Sequence, residues 1–190
     1  MSHTHAPPHT VVQTLQAKGI RIKAFLGKGA YSTVWSAEDA TRGKVFAAKM
    51  ISTATLRMRK IPTERLLREI EIMQRLQHPK IVALDQVIAC GDDMLVLLME
   101  LVRGRELFDV VMEKGRLSEP VARHIIEQLL QAVQYMHAEN VVHRDIKPEN
   151  VRTHQCAGIS ANVTHLHLPP FQHTPHRSWS TSTLTPPLLQ

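Results

Sequence analysis

The order in which two hydrophobic periodicities follow one another constrains this chain most. From Ile20 to Glu100 the apolar residues come in short runs, IRIKAFL, STVWSA, KVFAAKMI, IVALDQVIA and MLVLLME. These runs alternate or are rich in β-branched residues, and turn-forming residues separate them, which is the pattern of strands. One helical pattern interrupts them. In PTERLLREIEIMQRLQ, Leu66, Leu67, Ile70 and Met73 fall at helical spacings behind Pro62, a residue tolerated in the first turn. Cys90-Gly91-Asp92-Asp93 reads as a hairpin turn between the last two strands. Beyond it, ELFDVVMEKG predicts a short helix ended by Gly115. Ser118 then caps a long helix with apolar residues at Val121, Ile125, Ile126, Leu129, Leu130, Val133 and Met136. The order β-β-β-α-β-β-α-α predicts an α+β fold.

Acidic residues stop at Glu149. All 17 lie within residues 16–150, and residues 151–190 hold none. That last stretch is rich in Ser, Thr, Pro and His and buries too little apolar surface to offset its ordering entropy, so a disordered tail is expected. His165 with His167, or His173 with His176, has chelating spacing, but a polar tail without carboxylates is the stronger reading. Residues 1–15, polar and carrying His3, His5, His9 and Pro7-Pro8, are also expected to be disordered. The 190 residues thus suit one domain and a tail.

The net charge of +6 comes from scattered basic residues with only 4% aromatics, a solvated basic surface and not a nucleic-acid footprint. Cys90 and Cys156 form neither a metal pair nor a disulfide framework, which fits a reducing compartment. The run from Met94 to Met99 is far too short to span a bilayer, and the N-terminal residues lack the apolar core of a signal peptide. No membrane partner and a cytoplasmic or nuclear location are expected.

Three features carry chemistry. Gly27 and Gly29 in LGKGAYSTVWSA lie between strand runs, where glycines let backbone N–H groups approach phosphate oxygens. Because Thr33, Val34 and Trp35 resume a strand, the loop is a hairpin and not the strand-to-helix turn of a dinucleotide fold. Lys49 sits inside the apolar strand VFAAKM, where an ammonium needs an anionic partner, and the following helix offers Glu69. The third feature is HRDIKPEN, from His143 to Asn150.

With that octapeptide in place the chain resembles the eukaryotic protein kinases over roughly Ile20 to Asn150, in order and with matching spacings. GKGAYSTV resembles the glycine-rich loop, with Ser32 where the family has its third glycine; AAK resembles the strand that ends in the phosphate-binding lysine, here Lys49. Glu69, ten residues before the proline of HPKIVAL, falls where the family's helix glutamate pairs with that lysine. LLMELVRGRELFD resembles the hinge between lobes. The resemblance implies a five-stranded antiparallel small lobe with one helix at 16–101, and the start of a helical large lobe at 102–150.

It also implies ATP and Mg2+ as cofactors and a protein substrate or regulatory partner. Leu26, Gly27, Lys28, Gly29, Val34, Ala47 and Lys49 would surround the nucleotide, with Met99 as gatekeeper. Glu100 and Val102 would offer backbone to adenine, and Glu106 a carboxylate to ribose. Asp145 would accept the proton of the substrate hydroxyl, Lys147 would steady the γ-phosphate as in the serine/threonine branch, and Asn150 would hold magnesium. RELFDVVMEKGRLSE and HPKIVAL look most like the calcium/calmodulin-dependent group.

The resemblance then breaks. The family's Asp-Phe-Gly, whose aspartate binds the principal magnesium, has no counterpart in VRTHQCAGISANVTHLHLPP, and Asn162 cannot supply the missing charge. Arg152 stands where the family puts an apolar residue under adenine, and Arg144 has no activation loop to meet. Without later helices, Ile125, Leu129 and Val133 are expected to face water or a partner, and the large-lobe portion to fold poorly. Three readings follow: a serine/threonine kinase of weak or no activity, a non-catalytic interaction module, or a nucleotide-binding pseudokinase.

Overall fold

The β-strand β3 (Lys44–Ser52) sits at the centre of the fold and shows how the first sheet is built. Phe46, Ala48 and Met50 enter one apolar cluster, and Ala47 and Ile51 enter another on the opposite face. Strand β5 (Met94–Glu100) divides the same way, Val96 and Leu98 to one side and Leu97 and Met99 to the other. Burial on both faces is the reason MLVLLM is continuously apolar instead of alternating. The computed structural model describes residues 6–154 and 162–166.

Around these two strands run β1 (Ile20–Lys28), β2 (Ser32–Asp39) and β4 (Leu84–Cys90), in the order β1-β2-β3-β5-β4 with every neighbour antiparallel. The five-stranded small lobe is therefore as expected. One face is covered by α3 (Thr63–Arg75), whose Leu66 and Ile70 are buried one helical turn apart. A short α2 (Thr53–Met58), which the sequence reading omits, precedes it. Ser52 Oγ accepts the Thr55 N–H at 3.1 Å, and Leu56 is fully buried.

The opposite face is covered by α1 (His9–Ala17), where disorder through residue 15 was expected. The correction has a physical basis. Val11 and Leu15 lie at i and i+4, so a single turn of otherwise polar helix delivers two fully buried side chains to the cluster of Ile20, Phe46 and Leu98. The Pro8 carbonyl accepts the N–H groups of Val11 and Val12 and starts the helix.

Asp39 locks the turn between β2 and β3. Its Oδ1 accepts from the Thr41 hydroxyl at 2.6 Å and Oδ2 from Arg42 Nε at 2.6 Å; Arg42 then reaches Asp85 of β4 at 2.9 Å. The Thr41 hydroxyl, followed by the Arg42 guanidinium, holds the Asp39 carboxyl well below the usual range. A carboxyl depressed in the folded state stabilises above its unfolded pKa of about 3.9, and that contribution is lost as pH falls through the folded value. Asp39→Asn is accordingly expected to lower the melting temperature at pH 7, with the deficit against wild type shrinking on acidification. An equal deficit at pH 7 and pH 2 would contradict this.

The second lobe is built on α5 (Glu119–Ala138), with α4 (Leu107–Lys114) closed by Gly115 at φ 71°, the left-handed cap that glycine favours. Ser118 occupies the N-cap of α5 as expected, though without a side-chain cap bond. A second sheet joins β6 (Arg105–Glu106), β7 (Val151–His154) and β8 (Asn162–Leu166). This sheet corrects the expectation that structure ends at Asn150. Val151 and Leu166 are buried with Ile125, Ala132 and Met136 of α5, and Leu129 and Val133 pack partly against them. Ile125, Leu129 and Val133 thus face this core and not water; the exposed large apolar side chains of α5 are Ile126 and Leu130, at 50% and 58%. The chelating pairs, each with a partner beyond residue 166, lie outside the described residues.

Candidate active site

The glycine hairpin joins β1 to β2, with Gly27 opposite Val34 and the Gly29 N–H donated to the Ser32 carbonyl at 2.8 Å. A Cβ on Gly29 would come within 3.0 Å of Ser32 Oγ, so the tight tip itself disfavours a larger residue. At Gly27 a Cβ would meet nothing within 4 Å. The protein therefore does not require glycine there for its own packing, and the open space beside the backbone suits a ligand. Leu26 and Lys28 lie on the exposed lip of this hairpin.

Strand registry brings the next group together. Val34 pairs with Lys49 across β2 and β3, and Ala47 pairs with Met99 across β3 and β5. Val34, Ala47, Met99 and Val102 share one apolar cluster with α3. The Glu100 N–H donates to the Ala83 carbonyl at 2.9 Å, pinning the start of the segment that leads to buried Val102.

Lys49 enters this apolar wall with its ammonium. Desolvation pushes its pKa down, and the Glu69 carboxylate of α3 pulls it part of the way back. Lys49 therefore feels the Glu69 carboxylate, with desolvation the stronger of the two effects. A half-buried ammonium in this balance favours an additional anion.

The octapeptide forms a compact loop after α5. His143 is 5% exposed, and its Nδ1 accepts the Asp145 N–H at 3.2 Å. Arg144 between them takes φ 66°, a left-handed conformation that costs a non-glycine residue about 1 kcal/mol and turns the chain sharply. Lys147 Nζ lies 3.0 Å from Asp145 Oδ2. Asn150 Nδ2 donates to the same oxygen at 3.0 Å and to the Asp145 carbonyl at 2.7 Å. Lys147, then Asn150, keep the Asp145 carboxyl below its ordinary range, so it is ionised at neutral pH. Asp145, Lys147 and Asn150 are brought together at the end of this loop. His143 was missed as a positioning residue; its signal was the spacing of two to Asp145, which lets an imidazole fold back onto the backbone.

Glu106 ends β6 directly opposite Arg152 of β7. The Arg152 guanidinium lies 3.6 Å from the Glu106 carboxylate and donates to the Gly104 carbonyl at 3.0 Å. This contact was not foreseen from the sequence.

The donor set for magnesium is less complete than that for a nucleotide. A magnesium ion asks for near-octahedral oxygen ligation with one or two carboxylates. Here the Asp145 carboxylate is engaged by an ammonium and an amide N–H. Among the described residues no group of three or more His, Cys, Asp or Glu is arranged to hold a metal. The apolar cluster and the half-buried Lys49 fit a nucleotide, whereas the loop offers a metal the Asn150 amide oxygen and an Asp145 carboxylate already engaged by Lys147 and Asn150.

Comparison with known proteins agrees with this geometry. The protein kinase domain model matches residues 20–158. Calcium/calmodulin-dependent protein kinase type 1B of Rattus norvegicus is 42% identical over 130 residues, 68% of this chain and 37% of that protein. Myosin light chain kinase A of Dictyostelium discoideum is 40% identical over 129 residues, 68% of this chain and 43% of that protein. The chain thus spans about two-fifths of the length of these relatives. Among solved structures, Rad53 in complex with AMP-PNP is similar at a TM-score of 0.65 and 33% identity, over 80% of this chain and 39% of that one. The glycine hairpin, the Lys49–Glu69 couple and the Asp145 loop stand on the scaffold that this match requires, and the chain belongs to the protein kinase family.

Proposed function

We propose that this chain is the ATP-binding part of a serine/threonine protein kinase, with weak or absent phosphoryl transfer as it stands. The observation that carries the nucleotide site is the half-buried Lys49, paired across the sheet with Val34 next to the glycine hairpin and beside the cluster of Val34, Ala47, Met99 and Val102. The relatives' names and the AMP-PNP held by Rad53 support the reading. The ionised Asp145 accepts a hydrogen bond from a protein hydroxyl and orients it, and Lys147 beside it offsets phosphate charge. Metal ions neutralise developing phosphate charge in kinases, and residues 151–190 provide no carboxylate to hold the principal one.

The test is a binding titration with ATP, alongside label transfer to a serine peptide with and without magnesium. Micromolar to millimolar ATP binding with transfer at or near background is expected, and Asp145→Asn should remove whatever transfer remains. Fast magnesium-dependent transfer would refute the weak-activity statement; no ATP binding by a folded chain would refute the nucleotide site.

A second reading, a non-catalytic interaction module, is favoured by one observation. Ile126 and Leu130 of α5, one turn apart, are both more than half in solvent or close to it at 50% and 58%. This reading gains if Lys49→Met leaves partner capture intact while ATP binding is lost.

A further inference from the structure

Strand alternation decides where Arg152 points. Its neighbours Val151 and Thr153 are 2% and 4% exposed, and Val151 belongs to the α5 core. Arg152 therefore leaves the other face of β7, half-buried, where it meets Glu106 directly across the ladder. The guanidinium is held at both its terminal nitrogens. One nitrogen donates to the Gly104 carbonyl at 3.0 Å and the other lies 3.6 Å from Glu106 Oε1. Once the carbonyl holds the planar fork, less side-chain freedom remains to be lost in pairing with the carboxylate.

The kinase resemblance puts Glu106 at the ribose hydroxyls of the nucleotide site proposed above, and the inference rests on that reading. A hydroxyl gains less from a carboxylate that already shares its charge and an oxygen with a cation, because part of the acceptor is then committed to the guanidinium. With Arg152 alongside, one Glu106 oxygen lies 3.6 Å from a guanidinium that shares its charge. We infer that Arg152 is a specificity-determining residue of this site: by holding Glu106 it suppresses selection for the ribose hydroxyls, so that nucleotides lacking them bind almost equally well.

The test compares the dissociation constants of ATP and 2′,3′-dideoxy-ATP for the whole 190-residue chain. Wild type is expected to hold the two within about twofold. Arg152→Leu should prefer ATP by about five- to tenfold, the scale of one hydrogen bond to a partly exposed charged acceptor. Adding Glu106→Gln to that variant should return the ratio toward one, whereas Glu106→Gln alone should hardly move it. A purely structural role for Arg152 would shift both affinities together and leave their ratio unchanged. If Arg152→Leu does not fold, Arg152→Gln keeps a donor for Gly104 without the charge and should show the same preference. A wild-type preference of fivefold or more, or an unchanged ratio in the folded variants, overturns the inference while leaving the nucleotide site standing. A folded wild type that binds neither nucleotide overturns both.

Discussion

Leu166→Ala is expected to lower the unfolding free energy by about 2–5 kcal/mol, the range for truncating a large aliphatic side chain in a packed core. Leu166 is 1% exposed and sits among Leu76, Ile81, Ile125, Ala132, Met136 and Val151. Its backbone is committed as well. The Leu166 N–H donates to the Lys80 carbonyl at 2.9 Å, and its carbonyl accepts the Val82 N–H at 3.3 Å. The residue therefore joins the segment before β4 to the face of α5. Ile126→Ala serves as the control. That side chain is half exposed, so its loss should cost no more than about 0.5–1 kcal/mol. Urea unfolding of both variants, compared at equal slope, decides the matter. Equal, small losses would mean that β8 contributes nothing to the core.

Lys49→Met is expected to separate binding from stability. ATP affinity should fall by about tenfold or more, because a charge-assisted contact to phosphate contributes roughly 1.5–3 kcal/mol. Stability should not fall with it. Burial pushes the Lys49 pKa down despite the attraction of Glu69, so the folded protein holds this proton less readily than the unfolded chain does. Below the lowered folded value both states are charged, and the penalty on the folded state is present in full. As pH rises through that value toward the unfolded one of about 10.4, the folded state sheds its proton first and the penalty is relieved. The stability of Lys49→Met relative to wild type should therefore be highest near neutrality and decline at alkaline pH. A variant that loses binding and stability together, with no such pH trend, would show Lys49 to be a structural lysine paired for the fold's own sake.

Most of the scaffold could be read from local pattern. The five strand runs, α3, α4 and α5 lie where apolar residues repeat at two or near 3.6, because each element must turn one set of side chains inward and sequence spacing records that demand. The elements missed show the limits of the same rule. α1 presents only Val11 and Leu15, α2 only Thr53 and Leu56, and β8 only Leu166 to the described core. One or two apolar residues in a polar stretch do not establish a period, yet a single fully buried leucine is enough to hold a segment once a complementary surface exists.

The site divides in the same way. Asp145, Lys147 and Asn150 are close in sequence, so the octapeptide sets both their identity and their mutual contacts. The sheet, its central strand, the glycine hairpin, the attraction between Lys49 and Glu69 and the loop at 143–150 were legible in the sequence, because each depends on short-range spacing or on a motif with one geometric solution. The tertiary structure alone decided the contact of Arg152 with Glu106, the cover that α1 gives the sheet and the seat of Leu166. Those depend on which distant segments meet, and a pairing between residues far apart in the chain leaves no mark on the local spacing of either.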